Sequence, residues 1–284
     1  MQVLFQIFST REISLFIWAT LALMVMLFNA SIREELFIIF KLLFGKKIGS
    51  VILLHACYTF CILLVLYKIE MWNSSFIKDT VFWFVFVGVI LSVQIDKAKG
   101  NNFFKETVKE SFKWSIMVEF LVNLYTFSLV TEIILVPILV LSSALITFSE
   151  SVPKYEQVNK LLNKLVILIS LLLIAIAVYK IFKDYQTVLS LNTAFSFLLP
   201  PILMVLHIPF LYLLALYMNY EELFIDIKYF TQDEDSKKRM KSSIFLIVNL
   251  NLNRLMMIRK KINKFDVYHS SDIKVYLRKL ISAD

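Results

Sequence analysis

The chain has 284 residues, of which 59% are hydrophobic, 15% aromatic and only 18% charged, with a formal net charge of +8. Its mean hydropathy of +0.73 leaves more apolar surface than a water-soluble domain can bury, which excludes an ordinary soluble globular protein. Four glycines and long uninterrupted apolar runs argue against a barrel of short alternating strands. An all-α, polytopic membrane protein with about five to seven membrane segments is the expectation.

The first apolar run, Ile13–Ala30, is too long for the apolar core of a signal peptide and reads as a true span. "SIREELFIIFKLLFGKK" (31–47) follows, with a charged start and a basic end, and reads as an interfacial helix. The second span, Gly49–Tyr67, contains "HACYTFC". Cys57 and Cys61 lie one helical turn apart beside His55, but the run supplies too few further ligands for a metal site, and no disulfide framework is expected. A third span, Val81–Val93, reaches membrane length when Phe76 and Ile77 are included. Trp18, Trp72, Trp83 and Trp114 fall near the expected ends, as interfacial anchors do. In "NNFFKETVKESFKW" (101–114), Phe104, Val108 and Phe112 form one apolar stripe of a helix capped at Asn101 or Asn102.

Segment 116–148 is anomalous. It is apolar enough to cross a membrane, yet it carries Glu119, Asn123, Ser128, Glu132 and Pro137 and contains no Lys or Arg. As one straight helix it would run about 50 Å, beyond a hydrocarbon core of about 30 Å. Two readings fit: a long tilted or kinked helix, and a broken or re-entrant pair bent near Thr131-Glu132. An acid at the bilayer centre costs on the order of 3 kcal/mol, so it faces a cavity or a partner. Glu132 is therefore either a pore-lining carboxylate, repeated once per subunit in a ring that favours cations, or a water-exposed glutamate at a hairpin turn. Glu119, Asn123, Ser128 and the helix-breaking Pro137 would share the path.

Two further spans follow, Lys164–Phe182 and Phe197–Met218. The latter places Pro200, Pro201 and Pro209 around His207, either as a gating kink with a titratable group or as a distorted span whose histidine bonds a neighbouring carbonyl. Residues 1–218 thus form a transmembrane domain and 219–284 a small C-terminal module. After residue 235 the module has twelve Lys and Arg against three Asp. "VNLNLN" (248–253) alternates like a strand, but Ile244, Val248, Asn251, Leu255, Ile258 and Ile262 fit a longer helical stripe.

Lys and Arg crowd 31–48, 95–115 and the tail, so the positive-inside rule places these in the cytoplasm and the N-terminus outside. The tail is cytoplasmic only if 116–148 returns to its starting side or makes two short passes, which favours the broken pair. The basic residues Lys237, Lys238, Arg239, Lys241, Arg259, Lys260, Lys261 and Lys264 have three readings: a flank against anionic lipid, a patch for a nucleotide or oligonucleotide, or a contact for a partner protein. No catalytic or cofactor-binding motif occurs, so neither enzymatic activity nor a cofactor is expected.

The layout of many spans, an intramembrane acid within 119–132 and a basic tail at 237–279 resembles transmembrane effectors of bacterial anti-phage defence, the Hailong type among them. The resemblance implies a homo-oligomeric channel in the bacterial inner membrane, controlled by a signal from a partner nucleotidyltransferase. It rests on layout and carries over no functional residue. A secondary transporter and a non-conducting scaffold subunit are the alternative classes; a transporter of this kind would be expected to show paired repeats.

Overall fold

The structure is a computed structural model and describes residues 8–95, 101–113, 126–183, 191–230, 233–262 and 275–278. It is all-α, with no strand among the described residues, and six of its helices are long and apolar enough to cross a membrane. The chain separates into two compact units, Met1–Lys46 with Lys113–Leu198, and Lys47–Phe112 with Leu199–Asp284.

The first unit begins with α1, Thr10–Phe28. Ser9 and Glu12 form a reciprocal capping box that satisfies two otherwise orphaned backbone donors. Asn29 ends α1 and caps α2, Ala30–Leu43, so a single residue makes the corner. Phe37, Ile38, Ile39 and Phe40 of α2 are exposed, as suits a helix against lipid. Helix α6, Leu129–Glu150, and helix α7, Glu156–Lys183, form an antiparallel hairpin through a turn at Pro153–Tyr155. Asn159 fastens the turn by donating to the Ile146 carbonyl and to Ser149 Oγ. At the other end, Lys180 Nζ donates to the Thr126 carbonyl at 3.3 Å. Helices α1 and α6 start side by side and run parallel, since Thr10 Oγ1 reaches the Phe127 carbonyl and Ser14 Oγ the Glu132 carbonyl.

The second unit contains α3, Lys46–Lys68, and a composite span α4, Ser74–Val93, with a π-helical stretch at Phe84–Val89. It also contains α5, Asn101–Ser111, which buries Phe104 of the expected stripe while Phe112 stays exposed. Helix α8, Leu191–Phe230, belongs to this unit from Leu199 on; it is continuous for 40 residues despite its three prolines, about 60 Å long and twice the hydrocarbon thickness. Two short helices follow, α9, Glu234–Val248, and α10, Leu252–Lys261. They dock on the far part of α8 through Leu223, Ile227, Met240, Ile244, Leu252, Leu255 and Ile258, all essentially inaccessible to solvent.

The strand-like "VNLNLN" is a helix–turn–helix junction. Asn249 takes a positive φ of 51°, which asparagine tolerates better than most residues, and Asn251 caps α10 through Arg254 N–H. The apolar stripe continues across the turn because Leu252 takes the buried position that one uninterrupted helix would have given to Asn251.

Asp233 caps α9. Hydrogen bonds from the Ser236 hydroxyl and N–H hold its carboxyl below the usual carboxylate range. The depressed value means that this cap is present above the unfolded pKa and is lost as pH falls through the folded one. Amide exchange in the first turn of α9 should therefore quicken on acidification below the ordinary Asp range. Asp233→Asn, which caps without titrating, should abolish that pH dependence; an unchanged profile would contradict the assignment.

Candidate functional site

Two polar clusters sit inside otherwise apolar surroundings, one in each unit. In the first, the chain at 126–128 is non-helical and α6 begins only at Leu129, with Ser128 as its cap. Segment 116–148 is therefore not one continuous helix; the interruption falls just before Thr131-Glu132, and Pro137 lies within the continuous part. Glu132 sits in the first turn of α6, where the helix dipole favours an anion. It is fully buried, which rules out the water-exposed turn.

Its partner is Arg11 of α1. The guanidinium grips the carboxylate with Nε on Oε2 and Nη2 on Oε1, both at 3.1 Å, and Phe127 N–H adds a third bond at 3.0 Å. Such a planar fork matches a carboxylate better than a lysine could. The same residues secure the interruption, because Thr10 holds the Phe127 carbonyl while Lys180 lies 5.9 Å over the Phe127 ring. The absence of a basic residue from 116–148 pointed away from this pair. The countercharge lies 121 positions earlier, and its only local trace is an arginine in the first turn of the first span. Glu119 and Asn123 lie outside the described residues.

The second cluster joins His55 of α3, His207 of α8 and Trp83 and Ser92 of α4, all buried. The two imidazole centroids are 5.0 Å apart, and Trp83 lies 4.5 Å from His207. His207 Nδ1 faces the Leu203 carbonyl at 2.7 Å, and because a carbonyl only accepts, that nitrogen carries the hydrogen. His207 Nε2 pairs with the Thr59 hydroxyl at 2.9 Å, and the same hydroxyl donates to the His55 carbonyl at 2.9 Å. His55 Nδ1 pairs with Ser92 Oγ, while its Nε2 has no hydrogen-bond partner among the described residues. Of the two readings of His207, the structure bears out the bond to a neighbouring carbonyl. Its meeting with His55 was not legible, since 152 positions separate them and only tertiary packing joins them. Cys57 and Cys61 are exposed, whereas His55 is buried.

Gly88 makes room for this cluster. A Cβ there would lie 2.7 Å from His55 Cε1 and 3.3 Å from Trp83 Cζ3. Gly88→Ala should therefore cost about 1–3 kcal/mol, the usual range for overpacking. Thermal denaturation in detergent would register the loss, and His55→Ala in the same chain should relieve part of it. Equal stability of Gly88→Ala and the parent would contradict the packing.

No protein-family model matches the chain, and the searches of curated proteins and of solved structures return no match. The functional reading therefore rests on the residues themselves.

The basic residues of the tail do not act alike. Arg259 reaches back to α8, donating to Asn219 Oδ1 at 3.0 Å and pairing with Glu222. Tyr212 and Tyr220 donate to the carbonyls of Leu250 and Asn249, adding two more links between α8 and the junction. Lys237 pairs with Glu234. Lys241 leans over the Phe224 ring at 5.4 Å. Lys238, Arg239 and Lys260 are exposed and Lys261 half-buried, while Lys264 lies outside the described residues.

Proposed function

We propose that the chain is an oligomeric membrane channel or pore-forming effector, gated by a ligand or partner acting on a basic cytoplasmic module, in an anti-phage role at the bacterial inner membrane. The observation that carries this reading is α8. One helix runs from a membrane-length apolar segment into the docking surface of α9 and α10, so a ligand that repacks the module pulls on a span directly. His207, packed against His55, lies on that same helix. The broad exposed apolar faces of α1, α3, α6 and α7 suit lipid and further copies of the chain.

In this reading the path runs beside Glu119, Asn123, Ser128, Glu132 and Pro137. Arg11 occupies the Glu132 carboxylate in the state described here, so the clamp is the closed arrangement and its release exposes the acid to cations. The parallel start of α1 and α6 supports the two-pass reading of segment 116–148. Helices that begin at one face require an odd number of crossings between them, and α3 and α4 supply two. Seven crossings then put the two ends of the chain on opposite faces. In a chain with Cys57 and Cys61 replaced by alanine, Gln2→Cys and Asp235→Cys should react with an impermeant maleimide from opposite sides. Labelling from the same side would contradict this topology.

A second reading has its own support. Because Arg11 satisfies Glu132, a non-conducting scaffold subunit would need no water path. Proteoliposome flux separates the classes: voltage-dependent ion flux fits the channel, saturable uptake without current a transporter, and electrical silence with a co-purifying partner the scaffold. For the module, affinity for short DNA or cyclic nucleotides should fall as salt rises, and absence of binding at low salt removes a phosphate ligand.

A further inference from the structure

A cleft of about 460 Å³ lies within the second unit, walled by the start of α3, by Tyr217–Lys228 of α8 and by Lys241 of α9. Two helices mark its depth independently. Helix α3 passes from Lys46-Lys47 into the apolar run that begins at Ile48. Helix α8 leaves its apolar run at Met218 and enters Tyr220-Glu221-Glu222. The ion pair between Lys47 and Glu221, at 2.8 Å, joins these two transitions. The cleft therefore sits where both helices leave the hydrocarbon, at headgroup level, where tyrosines also concentrate.

Its chemistry is cationic with an aromatic wall. Lys47, Lys228 and Lys241 face one carboxylate, Glu221, and Lys241 lies over the Phe224 ring. Among the described residues no carboxylate makes a close ion pair with Lys228 or Lys241, although Lys241 is near enough to Glu234, the partner of Lys237, to help hold that carboxyl below its usual range. Tyr217 and Ile225 of the lining are exposed, and Leu213, one helical turn before Tyr217, carries the exposed strip into the apolar run of α8. Compact ammonium groups suit a phosphate, and the neighbouring apolar strip suits a hydrocarbon chain.

We infer that this cleft is a binding site for an anionic phospholipid, the headgroup phosphate held by Lys228, Lys241 and Lys47 and an acyl chain laid along the exposed face of α8. The site is independent of the proposed conduction, because it requires only that the chain be embedded in a bilayer. Depth decides between the two sources of phosphate: a free nucleotide gains nothing from the apolar strip, whereas a lipid uses both surfaces. Glu221 competes for Lys47 and limits occupancy.

The test uses the full chain in nanodiscs of phosphatidylcholine titrated with phosphatidylglycerol, with retained lipid counted by native mass spectrometry. Lys228→Gln/Lys241→Gln should lower phosphatidylglycerol retention by roughly thirtyfold, each lysine near the surface being worth about fivefold. Glu221→Gln, which frees Lys47 without removing a cation, should raise it. Lys238→Gln/Lys260→Gln, away from the cleft, should leave retention within about threefold of the parent. Equal loss in that control pair would overturn the site in favour of general attraction to the tail. Equal retention of phosphatidylcholine, or displacement of the lipid by millimolar inorganic phosphate, would overturn the assignment to a lipid.

Discussion

Replacing Arg11 with leucine should destabilise the first unit by on the order of 3–5 kcal/mol, the cost of stranding one partner of a buried ion pair. Glu132 is fully buried, and two of its three hydrogen bonds come from Arg11. Without the guanidinium the carboxylate keeps, among the described residues, only the Phe127 N–H, in buried surroundings where water cannot replace what is lost. Arg11→Leu/Glu132→Leu should recover most of the loss, because a matched apolar pair removes both desolvation penalties. A double-mutant cycle in denaturing mixed micelles measures this as a coupling energy. Additive effects, or single losses below about 1 kcal/mol, the range of an exposed pair, would show that the clamp does not hold α1 to α6.

Leu255→Ala should cost about 2–5 kcal/mol of the docking of α10 on α8, as truncation of a fully buried leucine does. Leu255 is inaccessible to solvent, and Leu252, Ile258 and Ile244 of the same buried set leave little room for repacking. Limited proteolysis would detect the change as faster cleavage within α9 and α10 while the membrane helices remain intact. Leu246→Ala, at a position 68% exposed, should behave like the parent chain. Equal protection of Leu255→Ala and the parent would mean that the module is not held through this face.

Much of the fold was legible, because bilayer length and apolar composition write each span in consecutive residues. The spans expected at Ile13–Ala30 and Gly49–Tyr67 differ from α1 and α3 by a few terminal residues, where caps and charged flanks extend the helix past its apolar run. Helix α6 and the interruption before it were harder to place. The break is encoded by Ser128, a cap residue inside an apolar run, rather than by the more conspicuous Pro137. The partners of the polar residues were the least legible. Arg11 with Glu132 and His55 with His207 meet only through packing of distant helices, and no local periodicity records such a meeting. In the tail, an alternating asparagine pattern encoded a turn and a cap, because asparagine serves a positive φ and an N-cap as readily as it breaks a strand.

Conduction itself is tested most directly by single-channel recording of the purified chain in planar bilayers. Discrete, cation-selective steps are expected, with Leu255→Ala changing the open probability and Glu132→Gln weakening cation preference in the open state. Persistent silence of chains that are folded and inserted, or steps whose selectivity and gating ignore both substitutions, would contradict a path beside Glu132 controlled through α8.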